Sequence, residues 1–183
     1  MDSKIIKEIK TQFFALRNGE IADRLRKAGS PYRIIFGLLV PQIQEVALSQ
    51  EYSRELAEFL WNNDSTRESR LLATMVFPKD EFTLEDTLKW LETIDTEELV
   101  DMFCFQLVRN VEGAESLIAR FIDDEKPLMK YFALRLSMNL LIIGRMKDMD
   151  SVKAWAEKEF SCNNSSTKLL CKQIIDEIEE WQR

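Results

Sequence analysis

The chain has 183 residues, 45% of them hydrophobic and 31% charged, and carries a net charge of −7. This is globular composition, and it suffices for one substantial core or a short array of stacked repeats. The absence of histidine excludes Ser-His-Asp and Cys-His catalysis and removes the commonest transition-metal ligand.

The three cysteines, Cys104, Cys162 and Cys171, form no CxxC pair. They read as small buried or half-buried side chains, neither a disulfide framework nor a metal cluster. No glycine-rich phosphate loop is present. An enzyme built from this chain would work with carboxylates, Lys, Arg or aromatics, and no cofactor and no metal are expected. No apolar run reaches the length of a membrane span, and "MDSKIIKEIK" alternates Lys with Ile, unlike the apolar region of a signal peptide. The expectation is a cytoplasmic protein with no membrane partner.

Charge is unevenly spread. Residues 1–33 balance at +4, while residues 34–183 balance at −11. A basic end on an acidic body leaves room for a local polyanion-binding patch.

In chain order the elements are helical. "DSKIIKEIKTQFFALRNG" opens with Asp2 or Ser3 as a cap, places Ile5, Ile6, Ile9, Phe13 and Leu16 on one face, and ends at Gly19. "EIADRLRKAGSP" is a short second helix stopped by Gly29-Ser30-Pro31. The apolar run "YRIIFGLLV" has no partner strand and reads as a packed connection. Pro41 suits the first turn of the next helix, "PQIQEVALSQ". Four helix pairs follow: "SRELAEFLWNN" with "STRESRLLATMVF", "TLEDTLKWLE" with "DTEELVDMFCFQLVRN", "AESLIARFID" with "PLMKYFALRLSMNLLIIG", and "DSVKAWAEKEF" with "SSTKLLCKQIIDEIEEWQR". They begin near Ser53, Thr83, Glu115 and Ser151, so they recur about every thirty to thirty-five residues. Short loops and this period predict an all-α, HEAT-like solenoid of stacked antiparallel helix pairs, with a compact bundle as the competing architecture. Residues 1–183 read as one domain, because the strongest break, Gly29 to Pro41, is itself rich in apolar residues.

One residue stands out. In "TIDTEELVDMFCF", Asp95 and Glu98 have the spacing of a capping box, and Ile94 and Leu99 that of a hydrophobic staple. On a helical wheel Asp101 then falls between Val108 and Phe105, flanked by apolar residues. A carboxylate placed there needs a partner or shifts its pKa upward. The conservative reading is an acid at a helix interface, paired with a Lys, Arg or amide of a neighbouring helix. Trp90 shares its helix with Leu84, Leu88 and Leu91 and reads as core.

The segment "FGLLVPQIQEVAL" resembles the FGxxVPxLRxIA signature of the HEAT-like-repeat DNA alkylation repair enzymes, which are alkylpurine DNA glycosylases. "RELAEFLWNNDSTRESRLLATMVF" resembles their ELAxxLW…ExRLLAxxL helix pair, and "WLETIDTEELVDMFC" is similar to their WxxxIxxWDxVDxxC region. The likeness runs from about Tyr32 to Leu141 in order and spacing. It implies an all-helical solenoid with a concave, DNA-cradling face. It also implies that Asp101 occupies the position of an acid that stabilises positive charge on the sugar as the glycosidic bond breaks. Such enzymes act on alkylated purines that are already cationic, so little acid catalysis is needed.

Two family positions differ. Glu97 stands where the family has a Trp facing the lesion nucleotide. In "LMKYFALR", Lys130 matches the first basic position, and Tyr131 replaces an Arg that grips the DNA backbone. Arg135, one turn further on, is a candidate substitute, although Arg and Lys are not equivalent at phosphate sites. Residues 80–101 hold nine acids and one base, Lys89, which would repel phosphates. Arg24, Arg26 and Lys27 in "RLRK" are candidate DNA contacts on what is otherwise a solvated helix face.

The sequence therefore reads as a divergent member of this family that binds duplex DNA weakly and has weak or lost glycosylase activity. Two alternatives stay open: an active alkylpurine glycosylase, and a non-enzymatic helical-repeat scaffold that binds a protein partner on its concave face.

Overall fold

The computed structural model describes residues 3–162 and 165–182. Asp2 and Arg183, which the expected first and last helices include, lie outside the described residues. The chain packs as two compact units, Met1–Phe82 and Thr83–Arg183. The Gly29–Pro41 break lies inside the first. Among the described residues the structure is all-α, with no strand.

The first unit holds α1 (Ser3–Leu16), α2 (Gly19–Lys27), α3 (Val40–Leu48), α4 (Arg54–Trp61) and α5 (Arg67–Val76). Pro41 lies in the first turn of α3, where Gln42 Oε1 accepts from the Leu39 N–H at 2.9 Å. This is the return half of a capping box, and Leu39 has no side-chain acceptor to supply the other half. The connection before it is a packed one, as expected. It makes a single parallel bridge, Ile34 to Thr66, rather than a strand pair.

A buried carboxylate holds that connection. Glu68, on the first turn of α5, is fully buried. Its Oε1 accepts from the N–H groups of Gly37 (2.9 Å) and Leu38 (3.3 Å), and its Oε2 from that of Phe36 (3.0 Å). Arg67 Nη1 adds an ion pair to Oε1 at 2.9 Å and donates to the Leu38 carbonyl at 3.0 Å. Three successive amides aimed at one carboxylate form an anion-binding concavity. Gly37 has φ +79°, and a Cβ there would lie 2.1 Å from the Asn18 carbonyl oxygen and 2.8 Å from the Ala22 nitrogen. Only glycine fits. Arg70, also buried, stacks its guanidinium 4.3 Å from the Trp61 ring centre, a cation–π contact between α5 and α4.

The second unit holds α6 (Leu84–Leu91), α7 (Glu97–Gln106), α8 (Ser116–Phe121), α9 (Pro127–Ile142), α10 (Met149–Ser161) and α11 (Ser165–Trp181). α9 is apolar almost all round, so it is buried almost all round: α7, α8 and α11 pack on it, and α10 packs on α11. An aromatic chain runs through this core. Trp90 stacks on Phe103 at 5.9 Å, Phe103 meets Phe132 at 6.5 Å, and Phe121 meets Phe132 edge-on at 5.8 Å. Trp90 is thus core.

The start of α7 differs from the expected box. Thr96 is the N-cap, and its hydroxyl accepts from the Leu99 N–H at 3.2 Å. Two adjacent residues, Asp95 and Thr96, can both cap. The chain uses the later one, which moves Ile94 and Leu99 off staple spacing while leaving both buried. Of the cysteines, Cys104 and Cys171 are buried and Cys162 is exposed. Cys162 follows the last turn of α10 outside the packed face, so burial fails for that one.

Glu68→Ala should destabilise the protein by about 3–5 kcal/mol, because it strands three amides and the Arg67 cation in a dry site. Glu68→Gln should cost less, since it keeps an acceptor. Urea unfolding monitored by circular dichroism checks both, and near-equal midpoints for wild type and Glu68→Ala would contradict the anchoring role.

Candidate functional site

α7 and α9 lie side by side in the second unit, and their contact brings three of the singled-out residues together. Asp101 projects from the middle of α7. Tyr131 and Arg135 project from α9, four residues apart and so on one face. The Tyr131 hydroxyl donates to Asp101 Oδ1 at 2.8 Å and accepts from Arg135 Nη2 at 2.9 Å. Arg135 Nε lies 2.6 Å from the same Oδ1, an ion pair made without a directed hydrogen bond from Nε. Asp101 thus has the neighbouring-helix partner that its position demanded. Both contacts fall on Oδ1.

The site is half-buried, with the Asp101 side chain 41% exposed and that of Arg135 25%. Tyr131 is buried. Desolvation dominates the Asp101 carboxyl and raises its pKa above the ordinary value. Arg135, through its charge and close approach, and the Tyr131 hydrogen bond pull it back only in part, and Glu98 adds a small upward push. Burial lifts the Tyr131 hydroxyl to about 12, so it is a neutral donor at physiological pH. Burial also works against the Arg135 cation, but Tyr131 and Asp101 outweigh it, and its pKa is raised. Cys104 lies beneath the site, fully buried, with its thiol pushed well up by desolvation and by Asp101's charge. It is no nucleophile.

The remaining singled-out residues are not part of this cluster. Glu97 is exposed in the first turn of α7 and makes no bond to it. Lys130 is half-buried on α9 and also makes none. Arg24, Arg26 and Lys27 belong to α2 of the first unit and are exposed. Arg24 pairs with Glu20 at 3.1 Å and Arg26 with Asp23 at 3.0 Å, both within the helix.

The sequence reading missed Phe105 and Arg109 as a pair. Phe105, one turn after Asp101 on α7, is 48% exposed, and the Arg109 guanidinium lies 3.9 Å from its ring centre. The signal was an aromatic and a cation at i, i+4 spacing. Among the described residues no group of three or more His, Cys, Asp or Glu could hold a metal, and no helix is long and apolar enough to cross a membrane.

An all-helical chain with an Asp–Tyr–Arg cluster between two helices defines a class but no activity. Its family profile decides more: the profile of the DNA alkylation repair enzyme family matches residues 9–181. The chain belongs to the DNA alkylation repair enzyme family. Comparison with curated proteins and with solved structures gave no match.

The Asp101 carboxyl should titrate above the ordinary Asp value, and further up in Arg135→Gln and Tyr131→Phe, since each removes a group that favours the anion. Carboxyl carbon NMR across pH checks this. A pKa raised on folding means that Asp101 contributes stability below its unfolded value, and that this contribution is lost as pH rises through the folded value. Wild type should therefore lose stability relative to Asp101→Asn over that window. A flat difference between the two proteins would contradict the raised value.

Proposed function

We propose that this chain is a DNA-binding member of its family with weak or lost glycosylase activity. The observation that carries this reading is the engagement of Asp101. An acid that stabilises a developing oxocarbenium ion acts as a fixed, uncompensated anion beside the sugar. Here one carboxylate oxygen already receives a hydroxyl hydrogen bond and lies 2.6 Å from a guanidinium. The positive charge that a transition state would supply is present in the resting site, so little differential stabilisation is left.

The same contacts bear on DNA gripping. Tyr131 stands where the resemblance places a phosphate-binding Arg and is committed to Asp101. Arg135, the candidate substitute, is held by Asp101 and Tyr131 together, and phosphate capture would require it to leave both. Glu97 offers no aromatic face to a lesion. Within the second unit, α7, α9 and α11 lie in a row with α8 on α9 and α10 on α11. This contact pattern supports the HEAT-like repeat reading there. DNA binding rests on family membership and on the cationic N-terminal segment.

The alternative of an active glycosylase draws on one observation: Asp101 remains 41% exposed, and neither contact engages Oδ2.

The experiment is base release from a methylated DNA duplex, with protein in excess and a protein-free control. Wild type should release 3-methyladenine and 7-methylguanine at or little above the spontaneous rate, and Asp101→Asn at that rate, while fluorescence anisotropy records binding of the duplex. Release well above the control that disappears in Asp101→Asn would overturn the proposal and make Asp101 catalytic. Absence of DNA binding at low salt would also overturn it.

A further inference from the structure

The first unit carries a groove that the reading above does not use. One stretch of it encloses about 640 Å³ between α1, α2, the Arg33–Phe36 segment and the start of α5. A second stretch of about 430 Å³ continues toward α4 and shares Lys10, Phe13, Asn63 and Ser69 with the first. Both are in the size range of ligand sites. The four shared residues make the two stretches neighbours in one trough.

Its lining has two components. The apolar part presents flat rings: Phe14 is 55% exposed in the first stretch and Phe59 is 44% exposed in the second. Phe14 lies edge-on to Phe36, with ring centres 5.1 Å apart, and the Arg17 guanidinium carbon lies 6.0 Å from its ring centre. The charged part is entirely cationic. Lys10, Arg17, Arg26 and Arg33 line the trough, and no Asp or Glu lines either stretch. Arg26 is paired with Asp23, and Arg17 donates to the Phe14 carbonyl at 2.6 Å. Lys10 and Arg33 are exposed and bond no side chain among the described residues. Ser69 adds a polar group at the junction of the two stretches. Its hydroxyl accepts from Asn63 Nδ2 at 3.0 Å and donates to no group among the described residues, which leaves its proton for an acceptor in the groove.

In a chain of net charge −7, an acid-free trough edged by unpaired cations is a local exception that charge alone would not produce. Exposed aromatic rings and cations lining one groove are what unpaired nucleotides require. Each base has a flat face to stack, and each phosphate needs a positive neighbour. A duplex hides those faces within its own stack. We propose that this groove binds a single strand of DNA, with bases stacked on Phe14 and Phe59 and phosphates against Lys10 and Arg33. The site lies wholly in the first unit and is independent of Asp101, Tyr131 and Arg135. It goes beyond the reading above by naming a second DNA contact and its strand state.

The test is fluorescence anisotropy with labelled oligo-dT and with a duplex of equal length, on the full chain, across a salt series. Wild type should bind oligo-dT more tightly than the duplex. Lys10→Gln/Arg33→Gln should weaken oligo-dT binding by ~10-fold at low salt and reduce the logarithmic salt slope by about 1.4, the value for two lost single-strand phosphate contacts. Phe14→Ala should weaken it by roughly fivefold or more, the lower end for one stacked base. Lys10, Phe14 and Arg33 are exposed, and thermal melting confirms that the variants fold. Asp101→Asn should leave oligo-dT affinity unchanged, which separates this site from the fate of the glycosylase question. Failure to bind oligo-dT at low salt would overturn the proposal. So would oligo-dT binding indifferent to Lys10, Arg33 and Phe14, or duplex binding that equals it and ignores Phe14→Ala.

Discussion

The first unit depends on the placement of the Glu68 carboxylate. A buried carboxylate without donors is strongly disfavoured, and here the donors are three consecutive amides of the Phe36–Leu38 segment and the Arg67 guanidinium. The same bonds that satisfy the acid dictate the path of the chain between α2 and α3. Gly37 lets that path pass against the backbone of Asn18 and Ala22. The groove lined by Arg33 and Phe36 is a consequence, because its wall is the segment that Glu68 holds.

This gives a physical meaning to the motifs that carry the family likeness. The Phe36-Gly37 dipeptide is tied to Glu68 of "ESRLLA" by hydrogen bonds, and Arg70 of the same motif to Trp61 of "FLW" by a cation–π contact. They build the scaffold. None of them belongs to the Asp101 cluster. A chain can therefore keep these motifs while other positions change, and Glu97 and Tyr131 are positions at which it differs from the pattern the resemblance implies.

The Asp101–Tyr131–Arg135 cluster is weak as a stabilising device. A half-exposed ion pair contributes about 1 kcal/mol or less, and burial opposes part of that by raising the carboxyl pKa. Its consequence is electrostatic instead. It holds an anion and a cation in mutual contact at the place where the family likeness implies an anion acting on the sugar and a cation acting on phosphate. Each group limits what the other can do.

Local physics made much of this legible in the sequence. Helical periodicity, and stops such as Gly29-Ser30-Pro31, are written in neighbouring residues, so the helices and their order could be read directly. The oddness of Asp101 was legible for the same reason, since a wheel needs only the helix itself. The cap of α7 was one residue off because Asp95 and Thr96 carry equivalent local signals, and only geometry chose between them. Cys162 could not be placed because nothing within its own helix says which residues end outside the packed face. The partners of Asp101 lie thirty and thirty-four residues along the chain, and those of Glu68 about thirty residues back. By itself the sequence determined which segments are helical and which side chains were candidates. Only the tertiary structure decided which of them meet, because the register between α7 and α9, and the path between α2 and α3, are set by the packing of whole surfaces and not by any local pattern.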